Sequence, residues 1–234
     1  THCISSAASD VYKRQSQDRG LIRYLMRHRH TTPFEMVEFK FHCKMPIFVA
    51  RQWVRHRTAN INEYSLRYSE ARDEFYLPDP EHIQFQSSLN KQGRLGEVSD
   101  SLKAKVSDYF QEISNRSFEI YSELNDAGVA RELARAVLPV NLYTEWYWKN
   151  DLHNLLHFVG LRSDSHAQYE IRVFSDAMAE SVKKVAPFAW EAYQDYVISG
   201  LRFSRIEQSL LEQNLPERVI DDILEDIAYQ ITAS

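Results

Sequence analysis

Between residues 37 and 44 the chain alternates strictly: Val37, Phe39, Phe41 and Cys43 are apolar, while Glu38, Lys40, His42 and Lys44 are polar. A period of two places the apolar set on one face, so this stretch reads as a half-buried strand of the kind found in antiparallel sheets with one covered side. Pro46 suits the first turn of a helix, and "IFVARQWVRHR" reads as a helix leaving the strand directly. A second strand is read in the aromatic-rich "NLYTEWYW". Elsewhere the helical period dominates. "DRGLIRYLMRH" carries Leu21, Ile22, Leu25 and Met26 at helical spacing and breaks at Thr31, Thr32 and Pro33. From about residue 98 a long apolar stripe runs to a glycine cap at Gly128, and "VARELARAVLP" forms a shorter helix stopped by Pro139. Further helices are read over 151–160 and 165–198, with "SEARDEFYLPDPEH" as a turn-rich exit and "SSLNKQGRLGE" as a loop. The order is helical with a few strands, read as one predominantly helical domain over 18–200.

The two ends differ from this body. The opening "THCISSAASDVYKRQSQ" has little apolar content and no clear period, and residues 1–17 read as a disordered or foreign leader. Residues 201–234 read as an acidic amphipathic tail: within 207–226, Glu207, Glu212, Glu217, Asp221, Asp222, Glu225 and Asp226 stand against Arg218, with apolar residues at helical intervals.

Charge concentrates in one place. Arg51, Arg55, Arg57 and Arg67 fall within seventeen positions that contain a single carboxylate, Glu63. Over the whole chain, 28 basic residues face 33 acidic ones, for a net charge of −5 and a pI near 6.0. A protein coating nucleic acid would carry a wider basic surface, so an anion site here is local. On a helix, Arg51 and Gln52 each share a face with Arg55, while Arg57 projects elsewhere. In an extended segment Glu63, Ser65 and Arg67 lie on one side and offer an acceptor, a hydroxyl and a guanidinium fork. Such a row can hold a nucleotide phosphate and hydrogen-bond its sugar or base. The alternative is a solvated basic face paired with the acidic tail. No apolar run is long enough to span a membrane, no export signal is evident, and the two cysteines are too few for a disulfide framework, so a cytoplasmic protein is expected.

"RHRTANINEYS" is Arg-His-Arg, seven residues, then Ser, and it resembles the signature of the flavin-dependent thymidylate synthases. "HTTPFEMVEFKFHCKMPIFVARQWVRHR", "NEYSLRYSE", "EFYLP", "ARAVLPVNLYTEWYW" and "LRSDSHAQYEIR" resemble the same family in the same order, over roughly residues 18 to 198. The resemblance implies an α+β homotetramer that binds FAD at subunit interfaces. It also implies methylation of dUMP to dTMP with methylenetetrahydrofolate and NADPH. By similarity, Gln52, Arg55, Glu63, Ser65, Leu66, Arg67 and Arg135 contact dUMP, Leu66 through its backbone. Thr32, Arg55, His56, Arg57 and Glu63 correspond to flavin contacts, and Arg162 to the arginine that supports ionisation of the uracil N3. Asp151, His153 and His157 align with a segment that reaches the flavin elsewhere in the family, often through Asn or Arg. The N-terminal strand-bearing segment usual in the family is missing or replaced here.

These residue types make chemical sense together. A thiolate mechanism needs an exposed, electropositive cysteine, whereas Cys43 lies on the apolar face of a strand and Cys3 in the leader. A guanidinium near N3 and O2 instead stabilises the deprotonated pyrimidine and raises electron density at C5, which gives Arg162 the catalytic role without a covalent bond to the enzyme. His56 and Arg57 are candidates for favouring the anionic reduced flavin. Ser65 has no evident base and reads as a substrate hydrogen-bonding group rather than a nucleophile. His153 and His157 are spaced as metal ligands can be, but no carboxylate lies between them and no metal site is assigned. The tryptophans read as core. Two competing readings are a catalytically silent flavin- and nucleotide-binding relative and a nucleic-acid-binding module.

Overall fold

The computed structural model describes residues 17–88, 93–214 and 219. Most of the leader and the greater part of the acidic tail therefore lie outside the described residues. The chain divides into two compact units, one formed by Phe34–Met178 and the other by the segments Thr1–Pro33 and Ala179–Ser234.

The larger unit is built on the two predicted strands. β1 (Glu38–Pro46) pairs antiparallel with β5 (Tyr143–Asp151), and β2 (Asn60–Glu63) pairs with the other edge of β5. In register, Cys43 faces Trp146 and Phe41 faces Trp148. Thr144, Trp146, Trp148 and Asn150 point to the buried side of β5. Their alternation with exposed or half-buried neighbours is the sequence pattern realised.

Helix α3 (Ile47–Trp53) leaves β1 at once, with Pro46 at its N-cap. It carries Val49, Ala50 and Trp53 into the core. Trp53 sits 5.4 Å from both Trp146 and Trp148, edge-on, and stacks on Phe158 at 4.9 Å. Phe158 belongs to α6 (Leu152–Arg162), which buries Leu152, Leu155, Leu156 and Val159 as well. Removing one ring of this size from such a cluster costs about 3–5 kcal/mol. α3 ends at Trp53 rather than continuing through Arg57, so Arg55 and Arg57 lie beyond the helix. Arg55 N–H donates back to the Gln52 carbonyl at 3.4 Å. The shared helical face expected for Arg51 and Arg55 is therefore not formed.

Helix α4 (Asp100–Asp126) starts at Ser99, whose hydroxyl accepts from Leu102 N–H. It stops at Gly128, whose φ of +77° is the left-handed conformation the expected cap requires. Its Tyr121 packs with Ala71, Ala134 and Leu142, and its hydroxyl accepts from Ala71 N–H at 2.8 Å. Short α5 (Arg131–Ala134) follows, and Pro139 lies just beyond its closing turn.

"SSLNKQGRLGE" departs from expectation. β4 (Arg94–Glu97) forms within this expected loop and pairs antiparallel, as a hairpin, with β3 (Gln84–Gln86), which lies just before it. Every residue of both strands is exposed, so no burial pattern marks them. Gly93 and Gly96, at φ +82° and +84°, supply backbone conformations that other residues adopt only with strain.

Helix α7 (Tyr169–Val185) crosses the division between the units, and the helix expected over 165–198 is interrupted. Ala186 leaves helical geometry, Pro187 opens α8 (Pro187–Tyr193), and a π-type turn covers Gln194–Ile198. Within the smaller unit, α1 (17–27) contacts α8 and that turn. Arg19 and Arg23 both donate to Glu191, and Arg23 also meets Asp195 at 2.6 Å. Thr32 opens the one-turn helix α2 (Thr32–Glu35). The described part of the tail is α9 (Arg205–Asn214), begun by reciprocal bonds between Ser204 and Glu207 that form a capping box.

Candidate active-site cleft

A cleft of about 1190 Å³ opens in the larger unit. Its lining includes Gln52, just before the end of α3, and Arg162, the last residue of α6. Gln84 and Arg94 of the hairpin line it as well.

Arg162 is oriented by a residue far away in sequence. Its Nε–H donates to His56 Nε2 at 3.0 Å. The receiving nitrogen must carry no proton, so His56 is the neutral Nδ1–H tautomer. Burial lowers His56 to about 4, and the charge of Arg162 and the proximity of His157 push in the same direction. Phe158 holds the imidazole edge-on at 4.9 Å. Burial also lowers the Arg162 guanidinium, which still stays charged at neutral pH. Among the described residues its two Nη groups have no hydrogen-bond partner, and Arg162 lines the cleft. Gln52, which lines it too, adds a buried side-chain oxygen with no partner among the described residues. An unsatisfied buried acceptor and a charged donor fork in one cleft suit a planar ligand bearing N–H and C=O groups.

The remaining expected substrate contacts form a second group. Glu63 Oε1 accepts from Thr144 Oγ1 at 2.7 Å, which joins the end of β2 to β5. The extended row Glu63, Ser65, Arg67 is not formed: the chain turns at Ser65, whose carbonyl accepts from Tyr68 and Ser69 N–H and whose hydroxyl accepts from Arg67 N–H. Local side-chain to backbone bonding overrides the strand there. The turn sends Arg67 to Glu132 on α5, with Nη2 3.1 Å from Oε2, and Arg135 Nε donates to the Glu132 carbonyl at 3.4 Å. Leu66 packs against the Tyr121 and Leu142 cluster. Among the described residues no hydrogen bond or ion pair joins this group to His56 and Arg162.

The expected flavin contacts scatter. Arg55 and Arg57 are exposed, and among the described residues neither has a carboxylate partner. Thr32 is exposed and belongs to the smaller unit. Asp151 is the N-cap of α6, its two oxygens accepting from the backbone and side-chain nitrogens of Asn154 at 2.8 and 2.7 Å. That explains an aspartate at this position structurally. His153 is half-buried, and the exposed His157 ring lies 6.2 Å from His56. Cys43 is buried in β1, and burial pushes its thiol up to about 11, far from a usable thiolate. The residues overlooked in the sequence are those of the hairpin and its anchor, Gln84, Arg94 and Glu170. Phe85 and Leu95 flanking a glycine were the available hint of a hairpin.

Comparison with known proteins identifies the family. The family model described as thymidylate synthase complementing protein matches residues 2–188. A flavin-dependent thymidylate synthase from Ehrlichia ruminantium (strain Gardel) is 53% identical over 201 residues, 86% of this chain and 68% of that protein. The protein of the same description from Dictyostelium discoideum is 48% identical over 204 residues, 87% of this chain and 67% of that one. Among solved structures, a UMP/dUMP methylase, PolB from Streptomyces cacaoi, bound with 5-Br UMP, superposes with a TM-score of 0.72 at 36% identity, covering 76% of this chain and 82% of that one.

Proposed function

Since the chain belongs to the flavin-dependent thymidylate synthase family, we propose that its cleft serves the reductive methylation of dUMP to dTMP, with methylenetetrahydrofolate as one-carbon donor, NADPH as reductant and no cysteine nucleophile. The observation that carries this reading is the cleft-lining Arg162, held by His56, in the same cleft as Gln52 with its unpartnered oxygen. The Nη groups of Arg162 meet the O2 and N3 edge of uracil and gain strength as N3 loses its proton. The resulting charge in the ring makes C5 nucleophilic toward the one-carbon unit. Gln52 supplies an acceptor to a base N–H. Neutral His56 fixes the guanidinium plane through Nε, so no reorganisation is needed as charge develops.

FAD fits the residues present: Arg55, His56 and Arg57 would hold it, since two exposed guanidiniums without carboxylate partners suit a pyrophosphate. When bound and reduced by NADPH, it supplies the hydride that completes the methyl group. Arg67 and Arg135 meet the phosphate of dUMP, with Ser65 and the Leu66 backbone beside them. Because among the described residues no hydrogen bond or ion pair joins this group to the Arg162 group, a homotetramer in which one subunit completes another's site fits the reading best.

The test is spectroscopic. The purified protein should be yellow or take up FAD, and dUMP should perturb the flavin absorbance. Colourless protein that takes up no flavin and binds no dUMP by calorimetry overturns the proposal. A monomer by light scattering that still turns over overturns the shared site.

A further inference from the structure

The β3–β4 hairpin contributes to the cleft lining, and its strands bury little surface of their own. Every residue of β3 and β4 is exposed, including Phe85 and Leu95, at 54% and 51%. A two-stranded hairpin without a buried face is marginal in water. Its position depends on what its polar side chains reach, and one of them reaches deep. Arg94 Nη2 donates to both oxygens of Glu170, at 2.6 and 2.8 Å, and its Nη1 donates to the His82 carbonyl at 2.9 Å. Glu170, in the first turn of α7, is only 4% exposed and also accepts from the Tyr76 hydroxyl at 2.7 Å. Burial alone would raise this carboxyl, but the Arg94 and Tyr76 hydrogen bonds outweigh it and hold Glu170 below its ordinary value. His82, whose carbonyl receives Arg94, stacks on Tyr169 with ring centroids 3.5 Å apart. His82, Arg94 and Tyr169 all line the same cleft as Arg162.

We propose that Arg94 is a positioning residue for the nucleotide reaction: through Glu170 and the His82 carbonyl it clamps the β3–β4 hairpin to the start of α7 and so holds the hairpin in the lining of the cleft that Arg162 also lines. The inference rests on the reading of this cleft as the dUMP site. A buried ion pair is weak as a source of stability, because desolvation offsets attraction, but it is selective for geometry. Here that geometry joins one residue on an otherwise exposed hairpin, one at a helix start and one in the loop before the hairpin. Arg94 touches neither His56 nor Arg162 in any hydrogen bond among the described residues, so it acts on the cleft through the lining.

The experiment uses the full-length, flavin-loaded protein and the variants Arg94→Met, Arg94→Lys and Glu170→Gln. It reads hydrogen exchange of peptides covering 84–97, melting temperature, and KM and kcat for dUMP. In Arg94→Met, exchange of the hairpin peptides should rise by about tenfold or more while peptides from α6 keep their protection, because only a local opening has become easier. KM for dUMP should rise by about tenfold with kcat changed by less than about threefold, the signature of lost positioning rather than lost chemistry. Lysine should restore little, since it cannot make the paired contact to Glu170 and reach the His82 carbonyl together. If Arg94→Met does not fold, Glu170→Gln carries the test: it leaves no unpaired carboxylate and should still raise hairpin exchange. Unchanged hairpin exchange in a folded variant overturns the clamp, and faster exchange with unchanged KM overturns its role in the reaction. The exchange arm needs no substrate, so a wild-type protein that fails to bind dUMP overturns the assignment of the cleft while the clamp is judged separately.

Discussion

Replacing Arg162 by alanine removes a guanidinium that lines the cleft, whose Nε is held by His56 at 3.0 Å and whose Nη groups have no partner among the described residues. Nothing else among the described residues takes over, because His56 is then a neutral imidazole with an empty acceptor and Gln52 offers only an amide. Losing one preorganised donor aimed at developing charge costs roughly 10²- to 10³-fold in turnover. Arg67 provides the contrast. It is half exposed and already spends Nη2 on Glu132, so Arg67→Ala should cost about 1.5–3 kcal/mol of ground-state binding, the range for hydrogen bonds to charged groups. The assay is single-turnover flavin oxidation with methylenetetrahydrofolate present, alongside calorimetric dUMP affinity. Arg162→Ala should keep FAD and much of its dUMP affinity while dTMP formation collapses, whereas Arg67→Ala should bind dUMP weakly and react normally at saturation. Arg162→Lys should recover little, since a point charge cannot both meet His56 and present a planar fork. Near-normal flavin oxidation and dTMP yield in Arg162→Ala would refute the reasoning.

Cys43→Ala should leave dTMP formation intact, because the thiol is buried and its acidity is suppressed; loss of turnover in a folded, flavin-loaded variant would bring back a thiolate mechanism. Asp151→Ala should lower stability by about 0.5–2 kcal/mol by uncapping α6, measured by urea denaturation, and an unchanged midpoint would remove the capping explanation. His56, lowered to about 4 in the folded chain from an ordinary 6.5, binds fewer protons folded than unfolded between those values. Its neutral form therefore contributes stability that is fully present above about pH 6.5, is lost as pH falls toward 4 and changes no further below that. His56→Gln should flatten that part of the melting-temperature profile, and a profile identical to wild type would show that His56 is not buried in this way.

Where a segment packs against a plane, its sequence determined its structure. The alternation through Phe39, Phe41 and Cys43 and the run through Trp146 and Trp148 became β1 and β5, since each records one covered face. Gly128 marked a helix boundary because backbone conformation is local, whereas Pro187 breaks the helix expected over 165–198. The Arg-His-Arg spacing to Ser65 pointed to the family, and His56 and Gln52 do stand at one cleft with Arg162 or in contact with it. Tertiary structure decided the rest. The hairpin was invisible because its strands are exposed on both faces and leave no period to read. Arg67 turned away from the Glu63 row because Ser65 bonds its own neighbouring backbone, a competition that two-residue spacing does not register. The pairings that organise the cleft, His56 with Arg162 and Arg94 with Glu170, are 106 and 76 residues apart in sequence. Single polar contacts of that separation have no repeating pattern, and only the folding of α6 and α7 beside their partners brings them within hydrogen-bonding distance.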